Sequence, residues 1–140
     1  MEADMNRPLI LILLLVVASF CMGMGGLGGQ PEGTIPDTDV NIKAEVQDRN
    51  GVTTSLENFS MSGKTSLNAW RGQGKLTIPF ANIDMIVFGD SQGDAVTVDV
   101  KLKTGESMVL RLRSRAQFYG STGFGAFQIK SKDLARIDFP

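Results

Sequence analysis

Gly63-Lys64-Thr65 has the ending of a phosphate-binding loop. Such a loop wraps phosphates with backbone N–H groups, which requires a glycine five positions earlier and a helix afterwards. Asn58 holds the earlier place and SLNAWRGQG follows without helical period, so a turn between strands is expected and nucleotide binding is not. Asp90 and Asp94 flank Ser-Gln-Gly and could bring two carboxylates to a calcium ion. The closer alternation of oxygen ligands and the distal bidentate glutamate of a calcium loop are missing, and a linker between two halves explains the segment more simply.

Across the 140 residues there is no histidine and one cysteine, Cys21. Imidazole bases, imidazole metal ligands, intramolecular disulfides and cysteine-rich zinc sites are thereby excluded. Asp, Glu, Lys and hydroxyl groups remain, and no pair of carboxylates stands apart as a catalytic dyad. The expectation is a non-catalytic protein with no cofactor and no metal. A small hydrolytic or carbohydrate-active accessory protein using Asp or Glu, and a structural subunit of an envelope complex, are the alternatives.

Charge is more informative. The whole chain sums to −1, but residues 100–140 hold eight cations against three acids, while residues 38–99 hold five against eight. Lys101 and Lys103 alternate with Val100 and Leu102, and Arg111 and Arg113 alternate with Leu110 and Leu112. Period-two alternation places these four cations on one outward sheet face, where they would attract a lipid headgroup, an anionic polysaccharide or an acidic envelope protein. The plainer reading is a solvated face that discourages edge pairing. Nucleic acid is not expected as a partner of a slightly acidic chain. Trp70 and Arg71, in a segment read as an inserted loop (Asn68–Gln73), and Tyr119 in the matching region form a candidate recognition patch for sugar or peptide, or plug the end of a barrel.

These residues need elements to hold them. Leu9–Phe20, LILILLLVVASF, is an uncharged apolar run preceded by Arg7. A dozen such residues match a secretory targeting segment and fall short of the roughly 20 that span a bilayer as a helix. Residues 1–22 are therefore expected to be a signal peptide or membrane anchor, directing the chain out of the cytoplasm to the periplasm, the membrane surface or the medium. Cys21 stands where a lipoprotein signal places its acylated cysteine, although Phe20 departs from the small residue wanted before it. Cleavage after Ala18 and retention as an anchor are the other fates. Residues 23–37, with six glycines and two prolines, read as a linker.

From residue 38 to 140 the pattern is all-β. GKLTIPFANIDMIVF (Gly74–Phe88) aligns without gaps on GAFQIKSKDLARIDF (Gly125–Phe139) at a shift of 51 residues, with Gly74/Gly125, Ile78/Ile129, Ile86/Ile137 and Phe88/Phe139 identical. Each copy reads as strand, a single 3₁₀ turn, then strand, the three-residue step from Ile83 to Ile86 suiting such a turn with its apolar side to the core and Asn82 or Asp133 suited to cap it. Ahead of each lies a hairpin: Val40–Val46 turning through Asp48–Gly51, and Val96–Leu102 turning through Thr104-Gly105. The expected domain has about nine strands in two related parts, 38–88 and 95–139, forming one compact sandwich or barrel or two SH3-like half-barrels.

VDVKLKTGES followed by FGAFQIKSKDLARIDF resembles the small SH3-like or Sm-like β-barrel modules that recur in bacterial envelope and secreted proteins. The resemblance covers about 45 residues well and the first part weakly. It implies a β-barrel fold and an exported location. Its motif consists of structural glycines and core apolar residues, so it implies no active-site residue.

Overall fold

The computed structural model describes residues 33–140. The apolar run, Cys21 and most of the 23–37 linker lie outside the described residues. The described residues belong to one compact unit.

Ten strands build it: β1 (Ala44–Asp48), β2 (Thr53–Met61), β3 (Ser66–Arg71), β4 (Gly74–Pro79), β5 (Ile83–Gln92), β6 (Ala95–Leu102), β7 (Ser107–Arg113), β8 (Gln117–Ser121), β9 (Ala126–Lys130) and β10 (Leu134–Asp138). Single 3₁₀ turns at Phe80–Asn82 and Ser131–Asp133 join β4 to β5 and β9 to β10. The all-β expectation holds, and one strand more is present than expected. The residues read as an inserted loop are strand β3 and its turn. All neighbours are antiparallel in one curled sheet of order β4-β3-β7-β6-β5-β10-β1-β2-β8-β9.

This order is symmetric about its middle. β5 pairs with β10 so that Ile86 faces Ile137, the very residues equated by the shift of 51. Their flanking pairs, Val87 with Arg136 and Met85 with Asp138, exchange places under the same shift. β3–β4 and β8–β9 obey it too, since Trp70↔Lys75 corresponds to Ser121↔Ala126. The hairpins β1–β2 and β6–β7 correspond at a shift of 54, carrying Val46↔Thr54 onto Val100↔Met108. Backbone bonds repeat as well: Phe80 N–H donates to Thr65 O (3.0 Å) and Ser131 N–H to Ala116 O (2.9 Å).

The sheet order contains an exchange. β1–β2 do not pair with β3–β4 that follow them but with β8 and β10; β6–β7 pair with β3 and β5. Each half of the sheet is thus made from both parts of the chain, the intrachain counterpart of a domain swap. The links are short. Met61 and Lys64 exchange backbone bonds (2.9 and 3.0 Å) across Ser62-Gly63, both at positive φ (52° and 86°), so Gly63-Lys64-Thr65 is a turn between strands as expected. Beyond that bridge β3 leaves β2 for β7.

One core fills the curl. Ile83, Ile86, Leu134 and Ile137 are fully buried, and Phe88 and Phe139 nearly so. Ile78 is buried and Ile129 half-buried against the same cluster. Phe59 of β2 sits at its centre, with ring centroids 5.2 Å from Phe80, 5.7 Å from Phe118 and 5.7 Å from Phe139. Val40, expected in the first strand, is exposed and precedes it.

Neither Asn82 nor Asp133 caps its 3₁₀ turn, since no side-chain cap bond forms at either. Their backbone carbonyls matter instead. Asn82 O accepts from Lys103 N–H (2.9 Å) and Asp133 O from Arg49 N–H (3.0 Å), tying each turn to the exchanged hairpin beside it. Gly51 and Gly105 occupy corresponding turn positions at φ 83° and 95°. Gly51→Ala and Gly105→Ala should each lower the unfolding free energy by about 1 kcal/mol, because a Cβ is strained in that region. Urea melts would check this, and costs differing severalfold between the two would contradict the correspondence.

Candidate basic groove around Trp70

Leu67 and Ala69 of β3 point into the core, so Asn68 and Trp70 face outward. Register then sets Trp70 opposite Arg111 of β7 on one side and Lys75 of β4 on the other, with Thr97 of β6 beyond Arg111. The row Arg111–Trp70–Lys75 crosses three strands. Lys75 Nζ lies 5.5 Å from the centroid of the half-buried indole, a cation–π contact. Arg111 Nη2 donates to Gly72 O in the β3–β4 turn (2.7 Å), which fixes the guanidinium beside the ring.

Two grooves meet at this row. The first, about 420 Å³, is lined by Trp70, Lys75, Asn68, Arg113, Arg115 and Gln117 among others, and among the described residues no carboxylate lines it. The second, also about 420 Å³, shares Trp70 and Arg113 and adds Arg111, Gln73 and Asp94. The segment carrying the arginines is pinned through its backbone. Ser114, 5% exposed, donates its N–H to Asp94 O (2.8 Å) and accepts from Lys132 N–H (3.0 Å). Arg113 O accepts from the Ser131 hydroxyl and from Ala116 N–H (3.1 Å). With Ser114 turned inward, Arg113 and Arg115 on either side of it are both exposed and both line the first groove.

The amides present donors there. Asn68 Oδ1 accepts from Thr77 Oγ1 (2.8 Å), and Gln117 Oε1 accepts from Gln128 Nε2 (2.9 Å), so each side chain keeps its NH₂ for a ligand. Three cations and two amides therefore offer N–H groups to one concave surface with an aromatic wall.

The four cations expected on one face separate into two pairs. Arg111 and Arg113 join Trp70, whereas Lys101 lies opposite Ser107 and Lys103 follows the end of β6. Lys101 is four residues along β6 from Thr97, the partner of Arg111, or about 13 Å. Asp99, between Val87 and Val109, interrupts the charge. The curl brings the start of β8 to β3, so that Gln117 shares a groove with Trp70, but Tyr119 lines neither Trp70 groove. Tyr119, 7% exposed, is a buried strand residue, and Arg71 is exposed at the end of β3. Cys21 lies outside the described residues.

Lys75, Arg115, Asn68 and Gln117 were not singled out by the sequence. The signal for Lys75 was present: Gly72-Gln73 is a two-residue hairpin turn that sets position 75 opposite position 70. Elsewhere Asp48, Arg49, Arg136 and Asp138 are engaged in internal hydrogen bonds. A larger groove of about 710 Å³ mixes Asp48 and Asp133 with Arg49, Lys130 and Lys132. Its Arg49 guanidinium donates to the carbonyls of Gly89 and Lys132, holding β5 to the second 3₁₀ turn. Arg136 forms a fork with Asp138 (2.7 and 2.8 Å), whose hydrogen bonds and charge raise the guanidinium pKa above its ordinary value. Among the described residues no group of three or more metal-ligating side chains is assembled, and no helix is long and apolar enough to cross a membrane.

Fold and surface define a ten-stranded antiparallel β-domain that carries a basic groove around an aromatic residue. A family model described as "Uncharacterised protein" matches residues 38–140, and the chain belongs to that family. No curated protein matches it.

Proposed function

We propose that this chain is an exported, non-catalytic binding module of the bacterial envelope, held at or released from the membrane by its N-terminal apolar segment, and that it engages an anionic partner through the Trp70 groove. The observation that carries the reading is the row Arg111–Trp70–Lys75 with Arg113 and Arg115 beside it. Cations gathered on a concave surface, as Lys75, Arg113 and Arg115 are in the groove without a carboxylate, hold a partner better than cations spaced along an open sheet, because the ligand is desolvated against several at once. Export is supported by the Leu9–Phe20 run and its resemblance-based location. The strand-for-strand correspondence of the two parts supports an origin by duplication, after which the basic groove developed on one side only: Trp70, Lys75 and Arg111 correspond to Ser121, Ala126 and Glu57.

The test is binding to an anionic polymer such as dextran sulfate across a salt series. Affinity should fall steadily as salt rises. Arg113→Glu combined with Arg115→Glu should weaken it by about tenfold or more, whereas Lys101→Glu with Lys103→Glu should change it by less than about threefold. Salt-independent binding, or equal effects of the two double variants, would refute the assignment.

A further inference from the structure

The chemistry of the groove narrows the partner. We infer that the Trp70 grooves take an acidic oligosaccharide, with a sugar carboxylate on Arg113 and Arg115 in the first groove and an uncharged sugar residue in the second. This deepens the proposed function and rests on it.

In the first groove the polar side chains that meet a ligand are mostly donors, Arg113, Arg115, Lys75 and the NH₂ groups of Asn68 and Gln117, joined by the Ser62 hydroxyl, which both donates and accepts. An oxygen-rich ligand with few donors of its own matches that set, and arginine forks suit a carboxylate. Between the donors the wall is Trp70 with Ala116. Such a surface receives the C–H face of a pyranose while the rim bonds its hydroxyls. The size, about 420 Å³, falls in the range of roughly 300–1,000 Å³ typical of small-molecule sites.

The second groove differs in its polar lining, where Arg113 and Arg111, the latter tied to Gly72 O, stand with an acid. It has Asp94, an acceptor, close to the shared Arg113, and Gln73, which both donates and accepts. A hydroxyl or acetamido group satisfies that mixture, whereas a second carboxylate there would face Asp94. Because Trp70 and Arg113 belong to both grooves, a ligand crossing from one to the other passes over the indole. A chain alternating a uronate with a neutral sugar fits the two grooves in turn. A membrane surface fits poorly: the cations and the half-buried indole line a concavity, which a planar array of headgroups would not enter.

Trp70 is the sole tryptophan of the chain, so its fluorescence reports the site directly. The full chain in neutral detergent would be titrated with a tetrasaccharide alternating glucuronate and N-acetylglucosamine, with the neutral chitin tetramer, with polyglutamate and with inorganic phosphate. Expected is a saturable emission change with the acidic tetrasaccharide, at least tenfold weaker with the neutral one, and lost in Arg113→Glu with Arg115→Glu. Asp94→Asn should leave that affinity within about threefold while improving binding of an all-uronate tetramer. Equal binding of acidic and neutral tetramers would overturn the inference, as would a response to phosphate as strong as to the tetrasaccharide. If polyglutamate binds with salt dependence and both saccharides fail, the saccharide assignment falls while the anionic partner stands. If no anion of any kind binds, both fall.

Discussion

Phe59→Ala should lower the free energy of unfolding by about 3–5 kcal/mol, the largest loss expected from any single truncation in this domain. The side chain is fully buried and its ring lies within 5.7 Å, centroid to centroid, of three other phenylalanines. It sits on β2, a strand of the first part of the chain that is built into the second half of the sheet. Phe80 and Phe139, which it touches, come from different parts of the chain and themselves stack at 5.2 Å. Removing Phe59 therefore opens a cavity where both halves meet, and such a cavity cannot collapse without moving strands of both. Against a typical total of about 5–15 kcal/mol this is a large fraction. A single cooperative transition, displaced as a whole, is expected in urea. Two separated transitions would show that the halves fold independently and would contradict the shared core.

Gly120→Ala should cost about 1–3 kcal/mol, although it adds one methyl group, and Gly120→Val more. A Cβ at this position would lie 2.8 Å from Leu56 Cβ and 2.9 Å from Leu56 Cδ1, closer than carbon atoms approach. The corresponding residue of the other part is Ala69, 2% exposed. The same place in the fold thus holds a methyl on one side, while on the other β2 closes directly over glycine. Ala69→Gly should cost less than Gly120→Ala, since it leaves only a small void. The same chemical-denaturation series measures both, and the reverse ranking would contradict the close approach of β8 to β2.

Much of this architecture was legible because it is local. Alternation gave the inward faces of β5, β6 and β7, and the shift of 51 showed that each copy has one 3₁₀ turn, but the turns lie at Phe80–Asn82 and Ser131–Asp133, just before the Ile83–Ile86 step where the spacing had put the first, and Ile83 and Leu134 already begin strands. The exchange of hairpins was not legible. Alternation says which face of a strand is buried and is silent on which strand lies beside it. The Ser62-Gly63 turn even begins a hairpin between β2 and β3 that one bridge later comes apart. The site was half legible for the same reason. Arg111 and Lys101 share a face by parity, but only register reveals that Arg111 belongs with Trp70 and Lys101 does not. Reading Asn68–Gln73 as a loop rather than a strand concealed the pairing of Trp70 with Lys75. Whether Tyr119 faces a ligand or plugs the barrel could not be read from its type, because an aromatic with a polar tip reads alike whether it is outward or buried, and here it is buried.

The most direct test of the account is a map of backbone amide shifts in the ¹⁵N-labelled chain during titration with dextran sulfate at low salt. Shifts should concentrate at Asn68–Lys75 and Arg111–Gln117 and vanish when Arg113→Glu and Arg115→Glu are combined. Shifts centred on Lys101–Glu106, or on the groove lined by Arg49 and Lys132, would contradict it.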